Sequence, residues 1–230
     1  MMRRYTNRAE AGRCLAAALP QFRNRPEAIS LGLARGGVPV AVAVGAELGI
    51  PSGALIVRKL GVPGQPETAF GALAICRGEI VRVINPPFVD RLLHSGITRA
   101  DLNQVEDRER AELLRRVADY GLPDTDLAGK TVILTDDGVA TGFTMLAAVE
   151  AVRRGGPAAV VAAVPVGSLE AYKTVAGAAD SVICLRIPGH FRAVGNAYLD
   201  FEQVSDAEVA RLQGPRKIAT EIHDNGPGGC

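Results

Sequence analysis

The sequence has little of several features that mark particular protein classes. Its 230 residues contain no tryptophan and only four cysteines, and those cysteines form no Cys-x-x-Cys pair. We therefore expect neither a zinc site nor a disulfide framework, and we predict reduced thiols in a cytoplasmic protein. No apolar run reaches the ~18 residues that a membrane helix needs. The basic amino terminus lacks the apolar stretch of a signal peptide, so no membrane partner is expected.

Charge of one sign is also lacking. Lys and Arg total 26 and Asp and Glu total 25, which gives a formal net charge of +1. A near-neutral chain disfavours a general nucleic-acid partner on electrostatic grounds. Glycine, in contrast, is abundant at 26 residues, and many of these glycines follow apolar runs. Short glycine loops after buried strands are places where phosphate groups bind.

Apolar strands alternate with helical segments along most of the chain. The patterns predict strands at 28–33, 54–57, 70–75, 80–84, 131–135, 160–166 and 181–186. They predict helices at 6–19, 38–48, 98–120, 143–153 and 168–175, and a short last helix capped by Ser205. These strands are too apolar for one face to meet water, which indicates an α/β fold with a central, mostly parallel sheet covered on both faces. We expect one domain over 1–213, a surface helical arm at about 86–122, and a poorly ordered tail at 214–230.

The most informative segment is 132–145, where a buried strand ends at Asp136 and Asp137 and a small-residue loop leads into a helix. A helix amino terminus with glycines nearby presents several N–H donors to one phosphate. Carboxylates do not bind that anion, but they suit sugar hydroxyls or a cation beside it. One ligand with both features is a ribose 5-phosphate. The alternative is the Walker B strand of a nucleotide-hydrolysing protein, but the chain has no G-x-x-x-x-G-K-[ST] phosphate-binding loop.

Two basic segments follow the first two predicted strands. Ala34-Arg35-Gly36-Gly37 joins the first strand to a helix, and a guanidinium beside consecutive N–H groups suits a diphosphate. Arg58 and Lys59 end the second strand and open a stretch, 58–67, with two glycines and two prolines. This composition predicts a polar, mobile loop.

Residues 132–144 resemble the phosphoribosyl pyrophosphate (PRPP) signature of the type I phosphoribosyltransferases. The resemblance implies PRPP bound with Mg²⁺, a base-like small-molecule acceptor, and catalytic roles for Arg58, Lys59 and Asp137. It assigns substrate binding to Arg35, Gly36, Gly37, Asp136, Asp137, Gly138, Ala140, Thr141, Gly142, Phe143, Thr144 and Phe191.

The resemblance has further implications. It implies a hood, at about residues 186–205, in which Phe191 covers the acceptor and Asp200 faces the metal–pyrophosphate. It also implies a cis peptide at Ala34–Arg35, a 58–67 loop that closes over the reacting centre, and Glu67 as a candidate base. Family members that act on 6-oxopurines carry an aspartate where this chain has Ala140, so hypoxanthine and guanine are disfavoured.

Two readings of function remain open from the sequence. The first is a phosphoribosyltransferase, which could assemble as a homodimer and whose acceptor is not readable from the residues. The alternative is a non-catalytic PRPP- or nucleotide-binding regulator with the same fold. A dinucleotide-dependent enzyme is disfavoured because no G-x-G-x-x-G follows any strand.

Overall fold

The computed structural model describes residues 3–120 and 126–213, except for the side chains of Pro66 and Glu67. Within them, the strands are β1 (Ala28–Ala34), β2 (Ser52–Val62), β3 (Gln65–Cys76), β4 (Glu79–Ile84), β5 (Thr131–Thr135), β6 (Ala159–Val164) and β7 (Ser181–Cys184). The helices are α1 (Arg8–Ala17), α2 (Gly37–Leu48), α3 (Pro86–His94), α4 (Arg99–Tyr120), α5 (Phe143–Arg153), α6 (Leu169–Ala176) and α7 (Asp206–Gln213). The predicted tail and the Glu67 side chain lie outside this part of the chain.

The strands form one sheet in the order β4-β3-β2-β1-β5-β6-β7. Strands β2, β1, β5, β6 and β7 run parallel, whereas β3 and β4 are antiparallel additions at one edge. Side chains alternate between the faces, so in β5 Val132 and Leu134 pack towards α5 while Ile133 packs towards α1 and α2. Both faces are covered, which explains the continuous apolar strands. The predicted α/β fold is confirmed.

The predicted loop at 58–67 is wrong. Strand β2 continues to Val62 and β3 begins at Gln65, so this stretch is a hairpin with Lys59 opposite Ala72. Gly64 has a φ of +75°, which lets the chain reverse here at little steric cost. Leu60 and Val62 are buried on alternate positions. Burial of alternate residues is typical of a strand, but the glycines and prolines of this segment made its sequence resemble a loop.

The segment 86–120 also differs from the prediction. The prolines that follow Asn85 do not interrupt the fold but begin α3, and the Asn85 side chain accepts a hydrogen bond from the Phe88 N–H. Proline is tolerated in the first turn of a helix because its missing N–H has no partner there. Helix α4 is not an exposed arm, since Leu113 and Val117 are buried in the cluster beside β2. The prediction of an exposed arm was wrong because many residues of the helix are charged, whereas its narrow apolar side is buried.

The hood packs against the amino-terminal segment. The Leu199 N–H donates to the Tyr5 carbonyl at 2.8 Å, and the rings of Tyr5 and Tyr198 lie 5.6 Å apart. Residues close to the start of the described chain are thereby held beside the carboxyl ends of the parallel strands. None of the described helices is long and apolar enough to cross a membrane.

Candidate functional site

A cleft of about 490 Å³ lies where β1 and β5 end, beside the stretch of β2 from Val57 to Gly61. Ligands of open parallel sheets bind outside the carboxyl ends of the strands, because loops from neighbouring strands meet there. Of the residues that the sequence predicts, the cleft is lined by Arg35, Gly36, Arg58, Lys59, Asp136, Asp137 and Thr144. Residues from three separate predicted segments therefore share one cavity.

Asp136 and Asp137 form a compact acidic pair at the end of β5. The Asp137 N–H donates to Oδ1 of Asp136 at 2.9 Å. Burial and the neighbouring charge of Asp137 raise the pKa of Asp136 well above its ordinary value. Burial likewise raises the pKa of Asp137, although Arg8 opposes the shift. Hydroxyl donors or a cation would favour the ionised forms, so this pair is suited to a polyhydroxyl ligand or a metal-bearing one.

Arg8 is a site residue that the sequence analysis missed. Its Nε and Nη2 atoms lie 2.9 and 2.8 Å from Oδ2 of Asp137. Its guanidinium carbon lies 4.0 Å from the centroid of the Phe201 ring, and Nη1 donates to the Glu202 carbonyl at 2.7 Å. Arg8 belongs to α1 and contacts Asp137 only through the tertiary fold, so no local motif could have identified it.

The loop between β1 and α2 approaches the acidic pair closely. A Cβ atom on Gly36 would lie 2.1 Å from Oδ2 of Asp137, and one on Gly37 would lie 2.5 Å from the Thr135 carbonyl oxygen. A side chain on Gly37 would push the loop away from the backbone of β5, and one on Gly36 would displace either the loop or the Asp137 carboxylate. The predicted cis peptide between Ala34 and Arg35 is present.

The side chain of Arg35 extends from this loop towards the first residue of α7, Asp206. Its Nη1 lies 3.3 Å from Oδ1 of Asp206. The hydrogen bond from the Tyr120 hydroxyl is the main cause that lowers the pKa of Asp206 to about 2. Asp206 is therefore ionised at neutral pH, and an anionic ligand at Arg35 would compete with it.

Helix α4 contributes residues that the sequence analysis placed on a surface arm. Glu109 accepts a hydrogen bond from Nε of Arg58 at 2.8 Å and another from Nε of Arg108 at 3.1 Å. Glu109, Arg108 and Arg116 all line the cleft. Arg58 is consequently anchored between a strand and a helix, and it is not carried by a free loop.

The turn between β5 and α5 lies beside the cleft. Gly142 has a φ of +86° and precedes the first residue of α5, Phe143. The Ser168 hydroxyl donates to the Ala140 carbonyl at 2.7 Å and so fixes the turn from behind. Ala140 and Thr141 are exposed, and Thr144, in the first turn of α5, reaches the lining of the cleft. The turn therefore presents open backbone at the amino terminus of a buried helix.

Comparison with known proteins decides the family. Residues 8–202 match the phosphoribosyl transferase domain. The chain belongs to the phosphoribosyl transferase family. It is 43% identical over 210 residues to the Mycobacterium tuberculosis (strain H37Rv) protein named "Putative phosphoribosyl transferase Rv0571c", and equally to its counterpart in strain CDC 1551. Those matches cover 90% of this chain but 46% of each relative, so the chain spans about half the length of the curated relatives it matches.

A solved structure is also similar to this chain. The crystal structure of TT1426 from Thermus thermophilus is 38% identical, with a TM-score of 0.71, and the match covers 92% of this chain and 98% of that one. The match of residues 8–202 to the phosphoribosyl transferase domain confirms, at the level of the family, the resemblance carried by residues 132–144. The individual roles of the site residues stay predictions.

The predicted site residues Phe143, Phe191 and Asp200 do not line the cleft of this phosphoribosyl transferase domain. Phe143 packs against the apolar cluster that contains Met145. Phe191 lines a separate recess of about 180 Å³ under the hood. Asp200 lines a third recess beside Asn7 and Glu208, and its N–H donates to the Thr6 carbonyl at 2.9 Å. Asp200 therefore does not join the acidic pair in this conformation.

Asp136 and Asp137 could hold Mg²⁺ only together with oxygen atoms of a bound substrate. Within residues 3–120 and 126–213, no three His, Cys, Asp or Glu side chains cluster closely enough to hold a metal by themselves. Mg²⁺ commonly keeps several waters and binds through one or two carboxylates and the oxygens of a substrate phosphate. Asp136 and Asp137, at the wall of a cleft rich in arginine, match that requirement.

Proposed function

We propose that this protein transfers the 5-phosphoribosyl group of PRPP to a nitrogen of a base-like acceptor and releases pyrophosphate. One observation carries the proposal. A single cleft joins an acidic pair, Asp136 and Asp137, to the basic residues Arg35, Arg58 and Lys59 and to Thr144 at the start of α5. PRPP needs this combination, since it has ribose hydroxyls between a phosphate and a diphosphate.

Each wall of the cleft has a separate task in this proposal. Asp136 and Asp137 accept hydrogen bonds from the ribose hydroxyls, and the turn 138–144 binds the 5-phosphate through backbone N–H groups and the Thr144 hydroxyl. Arg35, Arg58 and Lys59 bind the pyrophosphate. Mg²⁺, when bound, would be held by Asp136 and Asp137 together with oxygens of the ligand, and it would neutralise part of the negative charge of the pyrophosphate.

The chain's own residues then favour the transfer electrostatically. The acceptor nitrogen donates an electron pair to C1 of the ribose, and the C1–O bond breaks with its electron pair leaving on the pyrophosphate. An acceptor N–H proton, where there is one, passes to the pyrophosphate or to water. The ionised Asp136 and Asp137 stabilise positive charge on the ribose, and the basic groups stabilise the departing anion. Among these groups, Arg58 is fixed in advance by its hydrogen bond to Glu109 of α4, which lowers the cost of orienting it.

The acceptor and the cellular setting are part of the same proposal. Ala140 offers no carboxylate to an acceptor, so we favour acceptors other than hypoxanthine and guanine. The thiols of Cys14, Cys76 and Cys184 are free, which supports a cytoplasmic protein. A homodimer is the proposed assembly because two-fold pairs are the commonest closed oligomers.

Calorimetry and a pyrophosphate assay test the proposal together. With Mg²⁺ present, PRPP should bind at least a hundredfold more tightly than ribose, because ribose lacks both charged groups. Pyrophosphate should then be released with at least one acceptor among purines, pyrimidines and pyridines. Equal affinity for PRPP and ribose would refute the binding site. Tight PRPP binding without release for any acceptor would instead support the regulatory alternative.

A further inference from the structure

Helix α4 buries a positive charge on its apolar side. Leu113, Val117 and Tyr120 are buried at positions i, i+4 and i+7, which form the stripe that a helix turns towards a core. Arg116 lies at position i+3 of the same stripe, and its side chain is only 6% exposed. Charged residues are rarely buried unless they are paired or bind a ligand, because removal from water disfavours the charge. Packing alone therefore does not account for Arg116.

The other charges on this side of α4 are satisfied by the protein. Glu106 and Glu109 each accept hydrogen bonds from two arginines. Arg116, in contrast, donates through Nε alone to Glu112 at 2.9 Å, and Glu112 is shared with Arg115. Within residues 3–120 and 126–213, Nη1 and Nη2 of Arg116 have no hydrogen-bond partner. A guanidinium carries five N–H donors, so most of those of Arg116 remain unused.

Arg116 is also part of the wall of the cleft. It lines the same cavity of about 490 Å³ as Arg35, Arg58 and Lys59. Among the described residues that line this cavity, basic side chains outnumber acidic ones by six to three. Positive charges that converge with too few counter-ions repel one another, so an anion bound between them is favoured.

Arg116 lies near Arg35, at the end of the cleft that we propose for the pyrophosphate. The hydrogen bond from Tyr120 is the main cause that lowers the pKa of Asp206 to about 2, and the charges of Arg35 and Arg116 act in the same direction. Both arginines are therefore close to this one carboxylate. Asp206 forms its ion pairs with Arg35 and Arg115, so it does not neutralise Arg116 by direct contact.

We propose that Arg116 is a further binding residue for the pyrophosphate group of PRPP, supplied by α4. A guanidinium binds phosphate oxygens through two parallel hydrogen bonds, so two guanidinium groups on one cleft suit the two phosphates of a diphosphate. When the C1–O bond breaks, its electron pair adds negative charge to the pyrophosphate, and Arg116 stabilises that charge. This inference rests on the proposed transferase function, and it adds a residue to the site of the leaving group.

Two ligands that represent the two ends of PRPP test the inference. Inorganic pyrophosphate with Mg²⁺ represents one end, and ribose 5-phosphate represents the other. Titration calorimetry on the full chain measures the affinity for each. Arg116→Gln should weaken pyrophosphate binding at least tenfold and leave ribose 5-phosphate binding within twofold, because only pyrophosphate places negative charge beside α4. Turnover with PRPP should also fall at least tenfold.

A second substitution tests the inference even if Arg116→Gln does not fold. Arg116→Lys keeps the positive charge but cannot form two parallel hydrogen bonds, so pyrophosphate should bind at least threefold more weakly than it does to the wild type. Ribose 5-phosphate should again bind within twofold of the wild type.

Arg25→Gln is the matched control, because it removes the same charge from the opposite end of β1. The Arg25 guanidinium lies on the surface 4.0 Å from Glu27. Strand β1 separates it from Arg35 by about 23 Å, at ~3.3 Å per residue. That separation exceeds the Debye length of ~8 Å at physiological salt. The control should change neither affinity.

The outcomes separate this inference from the function on which it rests. Equal loss of both ligands in the Arg116 variants would assign Arg116 to packing, and unchanged pyrophosphate binding would show that it does not contact the ligand. Either result overturns the inference and leaves the transferase intact. A selective loss of pyrophosphate binding, in a protein that releases no pyrophosphate with any acceptor, keeps the anion site and refutes the transferase. A wild type that does not bind pyrophosphate refutes both proposals, and a selective loss together with turnover supports both.

Discussion

Arg8 and Asp137 are joined through one carboxylate oxygen, since Nε and Nη2 of the arginine lie 2.9 and 2.8 Å from Oδ2. The contact is mostly shielded, with 12% of the Arg8 side chain and 14% of the Asp137 side chain exposed. Burial alone would favour the neutral acid, and the guanidinium favours the ionised one. The amino-terminal helix therefore influences the protonation of the site that we propose for ribose.

Arg8→Gln should destabilise the protein in a pH-dependent manner. The substitution removes charged hydrogen bonds worth about 1.5–3 kcal/mol in free energy of unfolding near neutral pH. It also raises the pKa of Asp137, so the folded variant takes up its proton at a higher pH than the wild type does. A protonated Asp137 has less need of Arg8, so the difference between the two proteins should shrink as the pH falls. Urea unfolding at several pH values measures it.

The exposed pair of Arg25 and Glu27 gives the control for that measurement. Arg25→Gln should change the free energy of unfolding by less than about 0.5 kcal/mol, because exposed ion pairs contribute little. A loss in Arg8→Gln that is the same at every pH would contradict the coupling of Arg8 to a titrating Asp137.

Asp136→Asn should stabilise the protein while it weakens PRPP binding. The folded pKa of Asp136 is raised above its ordinary 3.8, so the folded state holds this proton more tightly than the unfolded state does. The stability contributed by the protonated form is complete below the unfolded pKa and is lost as the pH rises through the folded pKa. Asparagine cannot ionise, and it escapes this loss. At about pH 8 the variant should therefore unfold at a higher temperature than the wild type.

The same variant should bind PRPP at least tenfold more weakly, because a neutral amide attracts a ribose hydroxyl or a cation less than a carboxylate does. Differential scanning calorimetry and titration calorimetry measure the two effects. If the variant were less stable than the wild type at high pH, and if this difference in stability disappeared in acid, the folded protein would not raise the pKa of Asp136.

Gly36→Ala should disrupt the site without altering any charge. The added Cβ would lie 2.1 Å from Oδ2 of Asp137, so either the loop or the carboxylate must move. We expect PRPP affinity to fall at least tenfold. Gly177→Ala is the control, because Gly177 has an ordinary helical φ of −77° and its added Cβ would come no closer than 3.6 Å to the Thr174 carbonyl. Equal PRPP affinity in both variants would show that the close approach is not needed for binding.

Replacing Arg58 and Lys59 together by alanine should slow turnover more than it weakens binding. Loss of preorganised groups that stabilise developing charge typically lowers kcat by about 10²–10³-fold. Arg58 lies in the hairpin of β2 and β3 and bonds to Glu109 of α4, so the loss of kcat should not depend on the closure of a loop. Steady-state kinetics of pyrophosphate release gives kcat and KM, and calorimetry gives the affinity for PRPP. Losses confined to PRPP affinity would assign these residues to binding alone.

Local sequence determined the parts of this protein whose partners are close in the chain. The strand, acidic pair and glycine turn before Phe143 specify β5 and the start of α5, because strand, turn and helix follow one another directly. Thr98 and Asp101 exchange hydrogen bonds at the start of α4, and the Ser205 hydroxyl accepts from the Glu208 N–H as predicted. In these places the residue types needed lie within one turn of each other.

Tertiary packing decided the rest. The hairpin of β2 and β3 forms because Leu60 and Val62 find buried neighbours, and a glycine- and proline-rich composition does not reveal those neighbours. The buried side of α4 exists only because the edge of the sheet covers it, which turns Glu109 and Arg116 from surface charges into the wall of the cleft. Arg8 reaches Asp137 across 129 residues of chain, and its role follows from where α1 packs. Sequence patterns report near neighbours, whereas these contacts arise from burying apolar surface that is far apart along the chain.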